Sequence, residues 1–192
     1  MLLPFIAWSL TAVFFLLRPG YDQAYESPQI HYYEWVSPYT IPTNAQWLEA
    51  RYFRSVLGEH LIVKRDDGWH HLHADSLAEW PLPEEDELSV LMQEAISSNP
   101  ERYGVLTEVV GTDAVTNTGV NLSLNWNTLS IRQEGRDTRW IDRIYSIHYL
   151  QWTGFGLLDK ILGLVGLLLL MCTTYTGARL VFKLNHKPKI FD

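Results

Sequence analysis

Residues 161–178 read ILGLVGLLLLMCTTYTGA, and none of these side chains is charged. The nearest charges are Lys160 and Arg179, one at each end of the stretch. At about 1.5 Å per residue, a helix over this stretch reaches about 27 Å, close to the thickness of the hydrocarbon core of a bilayer. We therefore predict a transmembrane helix at residues 155–182.

A second apolar stretch lies at the start of the sequence. Residues 1–17 carry no charge, and as a helix they would reach about 25 Å, the lower limit for a membrane span. The alternative is a cleaved signal peptide, which needs a basic first region and a cleavage site of small residues. Neither is present around Arg18-Pro19-Gly20. We therefore expect an uncleaved signal anchor at residues 1–18.

The charges predict how the chain is oriented in the membrane. Residues 19–153 contain nine Lys and Arg against twenty Asp and Glu, a net charge of −11. Basic residues cluster in cytoplasmic segments next to membrane spans. We therefore expect both termini in the cytoplasm of a bacterial inner membrane, a cytoplasmic basic tail at residues 183–192, and a periplasmic middle. The acidic middle also argues against binding to nucleic acid. The charged residues after the second span are Arg179, Lys183, Lys187, Lys189 and Asp192.

The middle of the chain predicts an α+β fold. Residues 19–43 mix aromatic residues with prolines, which indicates an extended segment that either lies along the membrane surface or covers the domain. Thr43-Asn44 is a candidate N-cap, and the residues after it show helical spacing of apolar side chains up to Gly58, which predicts a helix at residues 44–58. Two strands, His60–Lys64 and Trp69–His73, flank the turn sequence Asp66-Asp67-Gly68.

The remainder of this domain, which we place at residues 44–136, repeats the order of a helix followed by strands. A helix is predicted from Pro83 to Asn99, with four acidic residues in its first turn that complement the helix dipole. Strands are predicted at 103–110, 113–116, 120–125 and 128–133. The expected architecture is an antiparallel sheet with packed helices, flanked by the two transmembrane helices.

A last helix is predicted at residues 137–154, directly before the second span. Asp137 is its expected N-cap, and its aromatic residues recur at spacings of three and four. Tyrosine and tryptophan favour the membrane interface. Thr153-Gly154-Phe155-Gly156 then allows a bend into the membrane.

Several motifs resemble the membrane-anchored PepSY proteins of bacteria, and the likeness is most specific over residues 117–182. In that family, a helix packs on a small antiparallel sheet that often closes with a Thr-Gly turn. The matching segments are Thr118-Gly119, Leu122–Trp126, Trp140–Asp142, Ile147–Gly154 and Leu158–Gly166.

The resemblance implies no single function, since PepSY modules occur in protease propeptides and in envelope membrane proteins. Related transmembrane reductases place histidines at the membrane edge to bind haem. His148 is at the corresponding place in this sequence. Neither predicted span contains a histidine, so a second axial ligand for haem b would have to come from His31 or from a partner subunit.

Three histidines in the predicted hairpin form a candidate metal site. Strand side chains alternate between faces, so a two- or four-residue turn would place His60, His71 and His73 on one face. Three imidazoles on neighbouring strands could hold zinc or copper. The alternative is a solvated face of histidines.

The sequence contains no phosphate-binding glycine loop, no Gly-x-Ser-x-Gly, no His-Glu-x-x-His and no cysteine pair. We expect a non-catalytic accessory subunit, bound to the bilayer and to a larger membrane complex, with electron-transfer complexes as the first candidates. A haem-binding electron carrier and a modulator of a periplasmic protease are the alternatives. The expected interaction residues are Trp140, Tyr145, Tyr149, Trp152, Gly163 and Gly166.

Overall fold

The computed structural model describes residues 2–34, 39–42, 44–149, 151 and 153–185. Trp152, the expected N-cap residue Thr43 and the tail from residue 186 onward lie outside the described residues. The chain forms two compact units: residues 20–139, and residues 1–19 together with residues 140–192.

The described residues form six helices and seven strands. The helices are α1 (Leu2–Leu17), α2 (Tyr21–Tyr25), α3 (Glu85–Ile96), α4 (Pro100–Tyr103), α5 (Arg136–His148) and α6 (Gly156–Asn185). The strands are β1 (Glu49–Ser55), β2 (Gly58–Arg65), β3 (Gly68–His73), β4 (Leu106–Val110), β5 (Asp113–Thr116), β6 (Asn121–Asn125) and β7 (Ser130–Glu134).

Two antiparallel sheets make up the unit of residues 20–139, which confirms the α+β class. Strands β1, β2 and β3 form one sheet, and β4 to β7 form a meander. The turn between β2 and β3 contains only Asp66 and Asp67, because Arg65 pairs with Gly68. Gly68 has φ +138°, a backbone conformation that glycine adopts without strain.

The main core of this unit lies between α3 and the meander. Its apolar residues recur every three or four positions along α3, so they share one face of the helix and are buried. Alternate residues of β6 and β7 face them, including Leu122, Leu124 and Ile131. The acidic first turn of α3, from Glu85 to Glu87, lies at the helix N-terminus as predicted.

Both faces of the three-stranded sheet are covered. Leu61, Val63 and Leu72 face a small cluster of their own, where Tyr39 and Tyr52 pack against them. The opposite face carries Ile62, which joins the main core. His60, His71 and His73 share this second face, so they lie on a covered side of the sheet.

The helix predicted at residues 44–58 is wrong, because Glu49–Ser55 forms strand β1. Residues 50 and 52 face the small cluster, whereas Phe53 packs against the main core. This alternation has a period of two, and Tyr52 and Phe53 are residue types that favour strands. The helical spacing seen in the sequence arose because both faces of this strand carry apolar residues.

The segment before β1 covers the domain, where the structure describes it. The backbone N–H of Tyr33 donates to the carbonyl oxygen of Arg54 in β1 at 2.9 Å. Ala24 and Ile30 are buried, and the ring of Tyr39 stacks on that of Tyr52 at 3.7 Å between centroids. Of the two expected positions for this segment, the described residues therefore take the one on the domain.

Asp137 is not the N-cap of the last helix, since α5 already begins at Arg136. Its carboxylate instead accepts two hydrogen bonds from the guanidinium of Arg102, at 2.7 and 3.1 Å. This pairing lowers the pKa of Asp137 from its ordinary value. The side chain thus ties the start of α5 to α4 within the same unit.

The other unit contains α1, the part of α5 from Trp140 onward, and α6. Among the described residues, one helix is long and apolar enough to cross a membrane, α6 over Gly156–Lys183. The apolar helix α1 has 16 residues and is shorter than such a span. Gly154 has φ +74°, which allows the predicted bend before α6. The carboxylate of Asp159 accepts hydrogen bonds from the backbone N–H and the hydroxyl of Thr153.

Candidate functional site

His148 is the last residue of α5, and its contacts are with α1. The indole N–H of Trp8 donates to the backbone carbonyl of His148 at 2.6 Å. The imidazole Nδ1 lies 2.8 Å from Oγ1 of Thr11. The ring of Phe15 meets the imidazole edge to face, with 5.0 Å between centroids. Three side chains at successive turns of α1 therefore hold His148 in one orientation.

These hydrogen bonds determine which nitrogen of His148 carries the proton. The hydroxyl of Thr11 donates to the carbonyl oxygen of Trp8 at 3.1 Å. Because a hydroxyl has one proton, the tautomer that satisfies both contacts of Thr11 is the one in which Nδ1–H of His148 donates to its oxygen. Nε2 of a neutral His148 is then left with a lone pair, as in histidines that ligate metals.

His148 also lines a cleft within this unit. The cleft has a volume of about 730 Å³, in the range of sites for small ligands. Helix α1 contributes its smallest side chains and one indole, and α6 contributes a glycine and two leucines. The lining residues are Trp8, Ser9, Ala12, His148, Tyr149, Gly163, Leu167 and Leu170.

Among the described lining residues, the cleft supplies one of the two axial ligands that a six-coordinate haem needs. The Nε2 lone pair of His148 fits one axial bond. The described lining residues include no second imidazole and no thioether. Haem at this site would therefore have one axial ligand from this chain, and haem ligation stays an untested alternative to the expectation that the chain binds no cofactor.

The expected interaction residues divide into two sets. Gly163 lines the cleft and Gly166 is half-buried. Trp140 and Tyr149 are 60% and 59% exposed and, nine residues apart, lie on opposite sides of the helix. The ring of Tyr145 stacks on that of Tyr149, with 5.9 Å between centroids. Trp152 lies outside the described residues. The α6 threonines that could have bonded to another helix donate back to carbonyls of α6 itself: Thr173, Thr174 and Thr176.

The hairpin histidines form a second cluster, in the other unit. His60 pairs with His73 and Ile62 with His71, so the register places all three imidazoles on one face as the two-residue turn requires. The solvated face that was the alternative is wrong for two of them, because His60 is 0% and His71 is 2% exposed. Nδ1 of His60 lies 2.9 Å from Nε2 of His71.

Every ring nitrogen of the buried pair has a hydrogen-bond partner. Nδ1 of His71 lies 2.9 Å from the carbonyl oxygen of Trp126, which can only accept, so this nitrogen carries the proton. Nε2 of a neutral His71 then accepts from Nδ1–H of His60. Nε2 of His60 in turn accepts from the hydroxyl of Ser55 at 2.5 Å. One direction of donation therefore runs from Ser55 to Trp126.

Burial keeps both histidines neutral. Burial, together with the facing ring of His71, lowers the pKa of His60 to about 3. Burial also lowers the pKa of His71 to about 4, although the hydrogen bond to Trp126 opposes this. The indole of Trp80 stacks on the ring of His60, with 4.8 Å between centroids. The indole N–H of Trp126 donates to the carbonyl oxygen of Trp80 at 2.9 Å. The pair therefore ties β2 and β3 to the loop after β6.

A serine, a histidine and a second histidine in this order resemble the arrangement of a nucleophile, its base and an orienting group. Ser55 is only 2% exposed, however, and a nucleophile has to reach its substrate. A base whose pKa is about 3 also takes up a proton poorly at neutral pH. These residues are therefore suited to joining the two sheets and not to attacking a substrate.

Metal binding by the hairpin histidines stays a prediction. Among the described residues, no group of three or more His, Cys, Asp and Glu is placed to hold a metal ion. A metal at His60 and His71 would have to replace the hydrogen bonds that now use their lone pairs. His73 is half-buried and stacks on Trp80 at 4.6 Å.

Sequence reasoning missed three partners of these histidines. Ser55 was placed on a helix, whereas as a strand residue opposite Gly58 it comes close to His60. Thr11 is one of two hydroxyl residues in the apolar stretch of α1, and this isolated polarity was the available signal. The carbonyl of Trp126 leaves no signal in the sequence, because any residue could supply it.

No protein-family model, curated protein or solved structure matches this chain. The resemblance to PepSY proteins therefore rests on the residues that carry it.

Proposed function

We propose that this protein is a non-catalytic accessory subunit of a larger complex in the bacterial inner membrane. In this proposal α1 and α6 both span the bilayer, both termini are cytoplasmic, and the α+β unit is a PepSY-type domain in the periplasm. The net charge of −11 over residues 19–153 and the basic residues after residue 178 support this orientation. Electron-transfer complexes are the first candidates for the partner, on the resemblance alone.

One observation carries the proposal, an exposed surface on α5 that we call the aromatic surface. It consists of Trp140 and Ile147, which lie seven residues apart and thus on the same side of the helix, and which are 60% and 42% exposed. Tryptophan and tyrosine bury a large area at the cost of freezing few bonds, and they are enriched at the centres of protein interfaces.

Helix α6 is also largely uncovered. In the most apolar 18 consecutive residues of α6, only 6% are buried within the described chain. Small residues allow close approach of a second helix, and a Cβ built at Gly177 would meet no atom within 4 Å. The occupant that fits an aromatic surface followed by a helix with small residues is a membrane helix of a partner protein.

Two substitutions separate a protein partner from lipid. Trp140→Ala removes an aromatic anchor, and Gly177→Leu adds bulk where a partner helix would approach. Leu168→Phe is the matched control for added bulk, since Leu168 lies nine residues from Gly177 and thus on the opposite side of α6. The measurement is the amount of partner retained on the tagged full-length chain, purified from native membranes in mild detergent.

We expect a partner that is retained by the wild type and by Leu168→Phe but lost from both other variants. Truncation of a buried aromatic anchor typically costs about 2 kcal/mol or more, roughly a thirtyfold loss in affinity. Equal retention by all four proteins would contradict the proposal and assign this surface to lipid.

A further inference from the structure

We propose that the cleft lined by α1, His148, Tyr149 and α6 binds a membrane-soluble quinol, whose phenolic hydroxyl donates a hydrogen bond to Nε2 of His148. This proposal goes beyond the accessory function and does not depend on it. All of the lining residues lie in the unit of residues 1–19 and 140–192.

The first argument is the hydrogen-bond chemistry of His148. Thr11 accepts from Nδ1–H, so Nε2 of the neutral ring can only accept. No partner for Nε2 exists among the described residues. A ligand that pairs with this nitrogen must therefore supply an O–H or N–H donor. A polar group in apolar surroundings loses free energy unless it is paired, which favours occupancy by such a donor.

The second argument is the shape and chemistry of the lining. Next to His148 the cleft carries the aromatic rings of Trp8 and Tyr149, which suit a flat ring. From there Gly163, Leu167 and Leu170 extend it along α6 for about 10 Å. This part suits an apolar tail. A quinol joins these parts in one molecule: an aromatic ring with hydroxyl donors and a long hydrocarbon tail.

The third argument concerns charge, and it disfavours a phospholipid phosphate. The lining residues include no Lys or Arg, so a phosphate would have no cation to pair with. A phosphate oxygen is also an acceptor and cannot bond to the lone pair of Nε2. The amine of a phosphatidylethanolamine headgroup is the lipid donor that could compete, and the experiment therefore includes it.

The binding experiment uses the full-length chain in nanodiscs of phosphatidylcholine. The probe is a decyl-substituted benzoquinol, and the corresponding benzoquinone is the matched ligand control because it has no hydroxyl donor. We expect the quinol to bind tighter than the quinone by about threefold to tenfold, the usual net value of one hydrogen bond.

Three variants locate the site. His148→Phe keeps a ring but removes the acceptor, so it should abolish the preference for quinol over quinone. Gly163→Leu leaves His148 in place and fills the cleft, where a Cβ meets no atom within 4 Å, so it should weaken both ligands. Leu168→Phe lies outside the lining and should change neither. Circular dichroism of each variant shows whether it is folded, and Gly163→Leu tests the site even if His148→Phe does not fold.

Four results would overturn the proposal. These are equal affinity for quinol and quinone, unchanged affinities in Gly163→Leu, loss of quinol binding in nanodiscs made with phosphatidylethanolamine, and a haem absorbance band in the purified wild type that His148→Phe lacks. The third would assign the site to a lipid amine, and the fourth would assign it to haem.

Discussion

At the scale of single residues, the buried histidine pair makes the domain sensitive to acid. The hydrogen bonds from Ser55 through His60 and His71 to Trp126 require both rings to be neutral. A proton on Nε2 of His71 would set two N–H donors against each other. Burial lowers the pKa of both histidines in the folded chain, whereas in the unfolded chain each has an ordinary value of about 6.5.

We therefore predict that the free energy of unfolding falls as the pH drops below about 6.5. Below this pH the unfolded chain takes up two protons that the folded chain does not. The stabilisation is therefore complete above pH 6.5 and is lost as the pH falls towards the folded-state pKa values of about 4 and about 3. Urea unfolding of the full-length chain in detergent, followed by tryptophan fluorescence between pH 7.5 and 5, measures this dependence.

His71→Phe should halve the pH dependence and lower stability at pH 7.5 by about 1–3 kcal/mol, because Nδ1–H of His60 loses its acceptor. His31→Gln, at an exposed histidine, is the control and should behave as the wild type. The same pH profile in His71→Phe and the wild type would contradict the burial argument.

At the scale of elements, the turn after α4 fits closely against the turn between β5 and β6. Gly104 has φ +62°, and a Cβ there would lie 2.0 Å from Oδ1 of Asn117. That oxygen accepts from the N–H of Val105 at 3.0 Å, and the N–H of Asn117 donates to the carbonyl of Val105. The glycine is thus required both by its backbone conformation and by this approach.

Gly104→Ala should destabilise the domain more than Gly111→Ala does. Gly111 also has positive φ, +55°, but a Cβ there meets no atom within 4 Å. Positive φ strains alanine at both positions, and at Gly104 the ψ of −120° and overpacking, which costs about 1–3 kcal/mol, add to this strain. The difference between their urea midpoints measures this. Equal midpoints would mean that Asn117 moves aside without cost.

Helices and strands whose apolar side chains repeat with a single helical or strand period were predicted well from the sequence. The hairpin of β2 and β3, the helix α3 and the four strands of the meander appear where turn residues and apolar spacing indicated, with bounds shifted by up to three residues. Strand β1 was missed because apolar residues on both of its faces imitate helical spacing. The parity of the hairpin histidines was predictable, but their burial was not, since it depends on packing from residues distant in sequence.

At the scale of the whole molecule, the proposed orientation in the membrane can be tested directly. A reporter active only in the periplasm, inserted at Gly111, should be active, because the surrounding segment is strongly acidic. A reporter active only in the cytoplasm should be active when fused after Asp192. Each reporter at the other position is the control. Cytoplasmic activity at Gly111 would contradict the proposed orientation.

Photo-crosslinking at position 140 tests the central claim, that the aromatic surface of α5 meets a protein partner. Replacing Trp140 with benzoylphenylalanine keeps an aromatic side chain at this exposed position and allows it to be crosslinked in living cells. We predict a discrete protein adduct from position 140 and none from the same residue at position 168. Lipid adducts alone at position 140, or the same protein adduct from both positions, would contradict the account.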